Sequence, residues 1–290
     1  MASDSSVTPH KLAVLIDADN AQPSRIRSLL SEVARYGTVC VKRAYGDWSG
    51  PYLTGWKSQL LQEAIQPMQQ FAYTYGKNAT DFAMIIDAMD LLHAGSFNAF
   101  CLVSSDSDFT RLAVRIREAG LVVYVFGNRT TPSPFVTACN RFIYVENLVS
   151  HEVRHQEHQE AHPAVHTETH PAVHTEAHPA AHHEVHPPHA RQIVAPQQHI
   201  SASQVSQDSE LIARLRAAVE AASHSDHWPE IGRVHRILTH WHPDFDSRSY
   251  GYPVFSDLVA ATNMFEMYPN SEGARTTYIR AKAQAHATSG

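Results

Sequence analysis

The sequence predicts an α/β fold, with a parallel sheet covered by helices on both faces, joined to a small second domain. Three observations support this prediction. Apolar strand-like runs alternate with helical patterns over residues 1–150, a histidine- and proline-rich repeat follows, and the block beyond residue 206 shows helices and then a hairpin pattern. A chain of 290 residues has room for one large or two modest domains.

The first block is predicted to begin its folded part at residue 10, after a disordered start at 1–9. Strands are predicted at residues 12–16, 39–44, 71–74, 100–103, 121–126 and 142–145. Helices are predicted between them, at residues 23–33, 56–65, 80–93 and 109–119. The first run, LAVLI, is continuously apolar, which is typical of a strand buried on both faces. Thr80 is expected to cap the third helix and Gly95 to end it.

A histidine-rich segment separates the two blocks. Of the 21 histidines, 12 lie between His151 and His189, within a repeat that runs HPAVHTET, HPAVHTEA and HPAAHHEV. The prolines interrupt any helix and apolar side chains are few, so residues 151–206 are predicted to be a disordered linker. Because imidazole binds Ni²⁺, Cu²⁺ and Zn²⁺, metal storage by this segment is an alternative function.

The last block, residues 207–290, is predicted to be a small winged-helix-like domain. Asp208 or Ser209 is expected to cap a first helix, a second helix follows Pro229, and a third follows the stretch HPDFDSRSYGYPVFSDLV. Two short strands near 264–268 and 276–279 flank a predicted turn.

Charge and composition exclude several classes of protein. The formal net charge is −6, with 13 basic and 13 acidic residues in 1–150, 2 and 6 in 151–206, and 8 and 10 in 207–290. This balance argues against a protein that coats nucleic acid by bulk charge. No apolar run reaches the roughly 18 residues of a membrane span, and the start MASDSSVTPHK has no signal-peptide core. The three cysteines lie in apolar stretches, so we expect buried, reduced thiols and a cytoplasmic protein without membrane attachment.

Acidic residues follow the predicted strands where each strand ends. Asp17 and Asp19 follow the first strand, Asp106 and Asp108 follow the strand that ends at residue 103, and Asp81 begins the third helix. Ligands of parallel sheets bind at this edge. Carboxylates gathered there would repel one another unless a cation joined them, and hard oxygen ligands favour Mg²⁺ or Mn²⁺. The alternative is that each acid only caps a helix, as Asp often does.

Three stretches carry a resemblance to a known family. LIDADN, NATDFAMIIDAMD and LVSSDSDF resemble, in this order, the signature stretches of the NYN domain, a branch of the PIN-like nucleases. The resemblance covers roughly residues 10–147. It implies a small PIN-like α/β/α sandwich whose acids hold a divalent metal and cut RNA.

The resemblance also implies roles for individual residues. Asp17, Asp81, Asp106 and Asp108 would be metal ligands and catalytic, and Asn20 would orient a ligand or the substrate phosphate. Asp19 and Asp87 are further candidates, Asp19 as a ligand or a solvated neighbour and Asp87 as a ligand or a residue that supports one. Every motif position keeps its polar residue, which predicts an active copy.

Basic and aromatic side chains of the first block are candidates for contact with RNA. Phosphate contacts are expected from Arg43, Lys57, Lys77, Arg111 and Arg129. Tyr45 and Trp48 are candidates for stacking on bases, or for packing within a loop. For each of these basic residues, the alternative is an ordinary solvated surface charge that does not contact RNA.

The last block carries a second resemblance. The stretch from Trp228 to Tyr268 is similar to the OST-HTH/LOTUS domain, most specifically in PDFDSRSYGY. Related domains bind RNA, notably guanine-rich RNA, and some bind helicases, so an RNA partner and a protein partner are both implied. A basic face is expected from Arg233, Arg236, Arg248 and Arg275, with a solvated surface as the alternative.

Together these patterns predict a ribonuclease, most simply an endonuclease, that uses Mg²⁺ or Mn²⁺ and carries a tethered RNA-binding domain. The main alternative is an RNA-binding adaptor that does not cut, because the same two domains would serve it.

Overall fold

A computed structural model describes residues 10–71, 78–148, 201–223, 228–269 and 277–282 of the chain. The predictions for residues 1–9 and for the linker up to residue 200 lie outside these ranges. The strands of the first domain are β1 Lys11–Asp17, β2 Thr38–Gly46, β3 Gln66–Gln69, β4 Ala99–Val103, β5 Val122–Gly127 and β6 Arg141–Tyr144. Its helices are α1 Ile26–Val33, α2 Trp56–Gln62, α3 Ala79–His93, α4 Thr110–Glu118 and α5 Ser133–Ala138.

The first domain is built on one parallel sheet in the order β3-β2-β1-β4-β5-β6. The central strands β1 and β4 pair in a register that sets Ile16 beside Val103. Both strands therefore end at the same level, and the polar residues that follow them begin side by side. This arrangement confirms the predicted PIN-like α/β/α sandwich.

Helices cover the sheet on both faces because β1, β4 and β5 are apolar on both faces. On one face α3, α4 and α5 pack on alternate strand residues such as Ala13, Leu15 and Phe100. On the other face α1 and α2 pack on the intervening residues, including Val14 and Ile16. The layers hold the ends of β1 and β4 and the start of α3 against one another.

Three details differ from the sequence predictions. A strand after α2 was predicted at residues 71–74, and the structure has the edge strand β3 at Gln66–Gln69; residues 72–74 of the prediction lie outside the described ranges. An edge strand has few buried positions, so its apolar pattern is weak. Asn78, not Thr80, is at the cap position of α3. Cys101 and Cys139 are buried free thiols as predicted, but Cys40 is exposed.

The second domain contains the helices α6 Ala202–Gln207, α7 Ser209–Ala222, α8 Ile231–Trp241 and α9 Phe255–Ala261 and an antiparallel pair, β7 Phe265–Pro269 and β8 Thr277–Ala281. Asp208 caps α7 by accepting a hydrogen bond from the backbone N of Leu211 at 2.9 Å, which confirms that predicted cap. Helix α6 lies where the end of the linker was predicted. It begins with a capping box between Ser201 and Gln204 and buries Val205 against the second domain.

None of the helices in the described ranges has the length and apolar character that a bilayer-crossing segment needs.

The close approach of Gly37 to the backbone of His10 gives a testable prediction about the stability of the first domain. A Cβ atom at this position would lie 2.2 Å from the backbone oxygen of His10. That oxygen accepts a hydrogen bond from the backbone N of Thr38 at 2.8 Å, so it cannot move away without cost. We expect Gly37→Ala to lower the free energy of unfolding by about 1–3 kcal/mol, measured by urea denaturation.

The matched control is Gly50→Ala. A Cβ atom on Gly50 would meet only a side-chain carbon of Tyr52 at 3.7 Å, an ordinary contact. Equal unfolding midpoints for the two alanine variants would contradict the close approach at Gly37.

Candidate metal-binding active site

Three carboxylates converge at the carboxyl edge of the sheet. Asp81 lies in the first turn of α3, and Asp106 and Asp108 lie in the turn that follows β4. One oxygen from each carboxylate lies within 4.8 Å of those from the other two. Asp81 and Asp106 are half-buried, whereas Asp108 is exposed, so the cluster is accessible from solvent. The structure thus brings together three of the acids that the sequence singled out.

Asp17, the last residue of β1, is 1% exposed. Its Oδ2 accepts hydrogen bonds from the hydroxyl of Ser104 at 2.8 Å and from the side-chain amide of Asn20 at 2.9 Å. The same Ser104 hydroxyl oxygen accepts a hydrogen bond from the backbone N of Asp106 at 3.0 Å. Ser104 therefore connects the buried carboxylate of β1 to the turn that carries Asp106.

Burial and neighbouring like charges both shift the pKa values of the acids at this site. The pKa of Asp81 is raised to about 6, first by burial and then by the neighbouring charges of Asp17, Asp106 and other acids. Burial also raises the pKa of Asp17 above its ordinary value, although hydrogen bonds from Ser104 and Asn20 oppose that effect. Gathered carboxylates of this kind are stabilised in the charged form by a bound cation.

Local hydrogen bonds set the orientation of the individual acids. The Oδ1 of Asp106 accepts a hydrogen bond from the backbone N of Asp108 at 2.9 Å, so Asp106 caps the turn as well as facing the cluster. The side-chain amide of Asn78 donates to Asp108 at 2.5 Å. Burial raises the pKa of Asp19 above its ordinary value, and a hydrogen bond with the Thr80 side chain opposes that effect.

The donor set fits a hard divalent cation. Three carboxylate oxygens within 4.8 Å of one another are close enough to ligate one ion together. Mg²⁺ and Mn²⁺ prefer such oxygen donors. Mg²⁺ sites often use few protein carboxylates and keep several waters, which suits a cluster with an exposed member.

Three residues predicted near the cleft have other partners. Asp87 lies six residues beyond Asp81 on α3, and it forms an ion pair with Arg43 and accepts a hydrogen bond from the Tyr45 hydroxyl. Tyr45 is fully buried, so stacking on a base is not open to it. The indole N–H of Trp48 donates to a backbone oxygen at 3.0 Å, and the ring packs against a neighbouring tryptophan, which favours the loop-packing alternative.

The predicted phosphate contacts of the first domain have different surroundings. Lys57 and Arg111 are exposed. Arg129 is exposed but its guanidinium donates to the side-chain oxygen of Asn147 at 2.9 Å. The guanidinium of Arg43 forms an ion pair with Asp87. Lys77 lies outside the described residues.

In the second domain, Arg233 and Arg236 are exposed residues on α8. Arg248 is not on that surface, because its guanidinium forms ion pairs with Asp246 at 2.6 Å and Glu32 at 3.2 Å. The structure therefore separates Arg248 from these two arginines of the predicted basic face, and Arg275 lies outside the described residues.

Sequence analysis did not single out two residues of the site, although both lie within the stretches that resemble the NYN domain. Ser104 directly follows β4 and joins Asp17 to Asp106, and Asn78 precedes α3 and contacts Asp108. Polar residues at a strand end and a helix start are common. Only their position beside the acids in the folded chain gives them a role.

Comparison with known proteins assigns both domains. Residues 11–146, from β1 to the residues after β6, match the sequence profile of the NYN domain. The first domain is an NYN domain. Residues 206–276 match the OST-HTH/LOTUS domain. The chain therefore combines a domain of the PIN-like nuclease class with a domain of an RNA-binding class.

Solved structures resemble parts of this chain. A protein of unknown function from Vibrio parahaemolyticus is 21% identical over 49% of this chain and 94% of its own, with a TM-score of 0.40. An uncharacterized protein from Nitrosomonas europaea, solved by NMR, is 36% identical over 26% of this chain and 74% of its own, with a TM-score of 0.24. No curated protein shows significant similarity to the chain.

Proposed function

We propose that this protein is a divalent-metal-dependent ribonuclease, an endonuclease that uses Mg²⁺ or Mn²⁺. The observation that carries the proposal is the convergence of Asp81, Asp106 and Asp108 at the carboxyl edge of an NYN domain. In this proposal the NYN domain hydrolyses RNA phosphodiester bonds and the OST-HTH/LOTUS domain binds the RNA. The buried free thiols of Cys101 and Cys139 support a reducing, cytoplasmic location.

The side chains divide the work between holding a cation and holding its ligands. Asp81, Asp106 and Asp108 would hold the cation. When bound, such an ion supplies an activated water and stabilises the charge on the leaving oxygen of a phosphodiester. Asp17 acts indirectly. Its carboxylate orients the Ser104 hydroxyl, and Ser104 in turn holds the backbone at Asp106. Asn20 keeps the carboxylate of Asp17 in place.

A cleavage assay tests the proposal directly. The full chain is incubated with a mixed RNA and with a circular RNA, in Mg²⁺, in Mn²⁺ and in excess chelator. We expect both RNAs to be cut with metal and neither with chelator, and cutting of the circle establishes endonuclease activity. RNA binding without any cleavage in either metal would favour the alternative, an adaptor.

The arginines of α8 provide a prediction about RNA binding. Neutralising both Arg233 and Arg236 with Gln should weaken RNA binding about tenfold. Binding releases fewer counterions when phosphate contacts are lost, and this release is a main source of affinity. The slope of log K against log salt should fall by up to about 1.4, or about 0.7 for each contact with a single strand. Fluorescence anisotropy with a labelled RNA at several salt concentrations measures both quantities.

The control for this pair is Arg27→Gln with Arg115→Gln. These arginines are also exposed but lie on α1 and α4 of the NYN domain, and their removal changes the net charge by the same amount. The same loss of affinity in both double variants would contradict a binding role for α8.

A further inference from the structure

The edge strand of the NYN sheet contacts the OST-HTH/LOTUS domain. Strand β6 is last in the sheet order, so one side of its backbone has no neighbouring strand among the residues that the structure describes. The backbone N of Phe142 in β6 donates a hydrogen bond to the backbone oxygen of Pro243 at 2.9 Å. Pro243 begins a stretch of the second domain, residues 243–249, which we call the docking segment. It supplies a partner for an edge-strand N–H that would otherwise face water.

Side chains at the end of β6 extend this contact. The Tyr144 hydroxyl donates to Asp244 at 3.3 Å, and the Asn147 side-chain amide donates to the Ser249 hydroxyl at 2.9 Å. Asn147 is 3% exposed, and its side-chain oxygen accepts a hydrogen bond from Arg129. The buried side chain of Asn147 thus has one hydrogen-bond partner in each domain, Arg129 in the NYN domain and Ser249 in the second. Buried polar groups in folded proteins are nearly always paired in this way.

Arg248 joins the two domains electrostatically. Its two terminal nitrogens each donate to a different oxygen of Glu32 on α1, both at 3.2 Å. Its Nε and one terminal nitrogen also donate to Asp246 of its own domain. Arg248 and Glu32 therefore form a bidentate pair, the geometry that gives arginine its specificity for carboxylates.

The carboxylates at this junction are buried. Glu32 is 8% exposed and Asp246 is 6% exposed. Burial alone would raise the pKa of each, but the guanidinium of Arg248 lowers both below their ordinary values. A carboxylate buried to this extent is costly unless a cation stays beside it, unlike one in an exposed surface pair.

We propose that the docking segment holds the OST-HTH/LOTUS domain of the same chain against strand β6 and helix α1 of the NYN domain. Its contacts are a backbone hydrogen bond to Phe142, two side-chain hydrogen bonds and the ion pair between Arg248 and Glu32. The docked arrangement leaves Arg233 and Arg236 exposed on α8, so docking does not remove them from RNA. The proposal does not depend on whether the NYN domain cuts RNA.

The occupant of this surface is the chain's own second domain instead of another molecule. The connection between Leu148 and Ser201 is covalent, and a covalent connection gives the two surfaces a high effective concentration for each other. The charges are complementary, since α1 presents Glu32 and the docking segment presents Arg248.

Docking also reaches the loop beside the acids. Arg129, which follows β5, bonds to Asn147, and Asn147 bonds to Ser249 of the docking segment. The residue before Arg129, Asn128, donates its backbone N to the Ser105 hydroxyl at 2.9 Å, and Ser105 precedes the acid Asp106. The docking segment is thereby linked, through three hydrogen bonds and short pieces of backbone, to the turn that carries two of the three clustered acids.

Hydrogen exchange on the intact chain tests the proposal. Glu32→Arg removes the partner of Arg248 and adds a like charge, yet leaves the ion pair of Arg248 with Asp246 in place. We expect the Phe142 amide to be protected in the wild type and to exchange at least about tenfold faster in Glu32→Arg. The amide of Leu102 in the central strand β4 should be unchanged, which shows that the NYN domain stays folded.

The control with the same substitution is Glu63→Arg, which removes a more exposed ion pair with Arg27 elsewhere on the NYN domain. This variant should leave the protection of Phe142 at the wild-type level. An unprotected Phe142 amide in the wild type, or equal exchange in wild type and Glu32→Arg, would overturn the proposal. Light scattering supplies the last outcome: a monomeric mass supports docking within one chain, and a dimeric mass with Phe142 protected shows docking between two copies instead.

Discussion

Replacing Asp106 with Asn should abolish most RNA cleavage while the NYN domain stays folded. Loss of a residue that only supports a metal ligand typically costs about 10–100-fold, so loss of a direct ligand should exceed about 100-fold. Asn caps a helical turn as well as Asp does, so the hydrogen bond to the backbone N of Asp108 can persist. Removing one charge from the cluster also reduces repulsion, and we expect an unchanged or higher melting temperature.

Two other variants place this result in context. Asp17→Asn should also lose activity by orders of magnitude, because an amide cannot accept hydrogen bonds at both of the oxygens that Asp17 now uses. Asp90→Asn is the matched control, since Asp90 is exposed on α3, the helix that carries Asp81. The readouts are the rate of cleavage and the affinity for Mn²⁺ measured by calorimetry. Full activity in both Asp106→Asn and Asp17→Asn would remove this cluster as the active site.

Replacing Asp87 with Ala should give the largest loss of stability among the acids of α3. The carboxylate of Asp87 accepts from both the Arg43 guanidinium and the Tyr45 hydroxyl, and Tyr45 is fully buried. Breaking a buried ion pair from one side costs about 3–5 kcal/mol. Because Arg43 and Asp87 keep 24% and 18% side-chain exposure, we expect a loss of about 2–3 kcal/mol, which allows for solvent screening.

Urea denaturation measures this loss, and Asp90→Ala is the control. It makes the same change on the exposed face of the same helix and should stay within about 0.5 kcal/mol of the wild type. A double-mutant cycle with Tyr45→Phe should show coupling between Asp87 and the Tyr45 hydroxyl, because the two groups are in contact. An Asp87→Ala protein as stable as Asp90→Ala would contradict a structural role for this carboxylate.

A Mn²⁺ titration of Asp87→Asn separates the two roles that the sequence left open for Asp87. If Asp87 were a metal ligand, Asp87→Asn would reduce affinity for Mn²⁺ as strongly as Asp106→Asn does. The structure predicts a small change, because Asp87 contacts Arg43 and Tyr45 instead of the three clustered acids.

The sequence by itself determined the central strands of the sheet and the edge at which the acids gather. The run at Leu12–Ile16 is apolar at every position, and only a strand covered on both faces buries such a run, so the α/β sandwich followed from local composition. Acids placed directly after two central strands must lie at the same edge of a parallel sheet. The location of the cluster therefore required no knowledge of side-chain contacts.

Only the tertiary structure decided which side chains are partners. Asp81 and Asp87 are two acids of one helix, yet one faces the cluster and the other pairs with Arg43. Arg248 looked like Arg233 and Arg236 in the sequence, but it pairs with Glu32, more than 200 residues away. Local sequence carries periodicity and capping signals, whereas the partner of a charged side chain depends on which distant element packs beside it. That packing exists only in the folded chain.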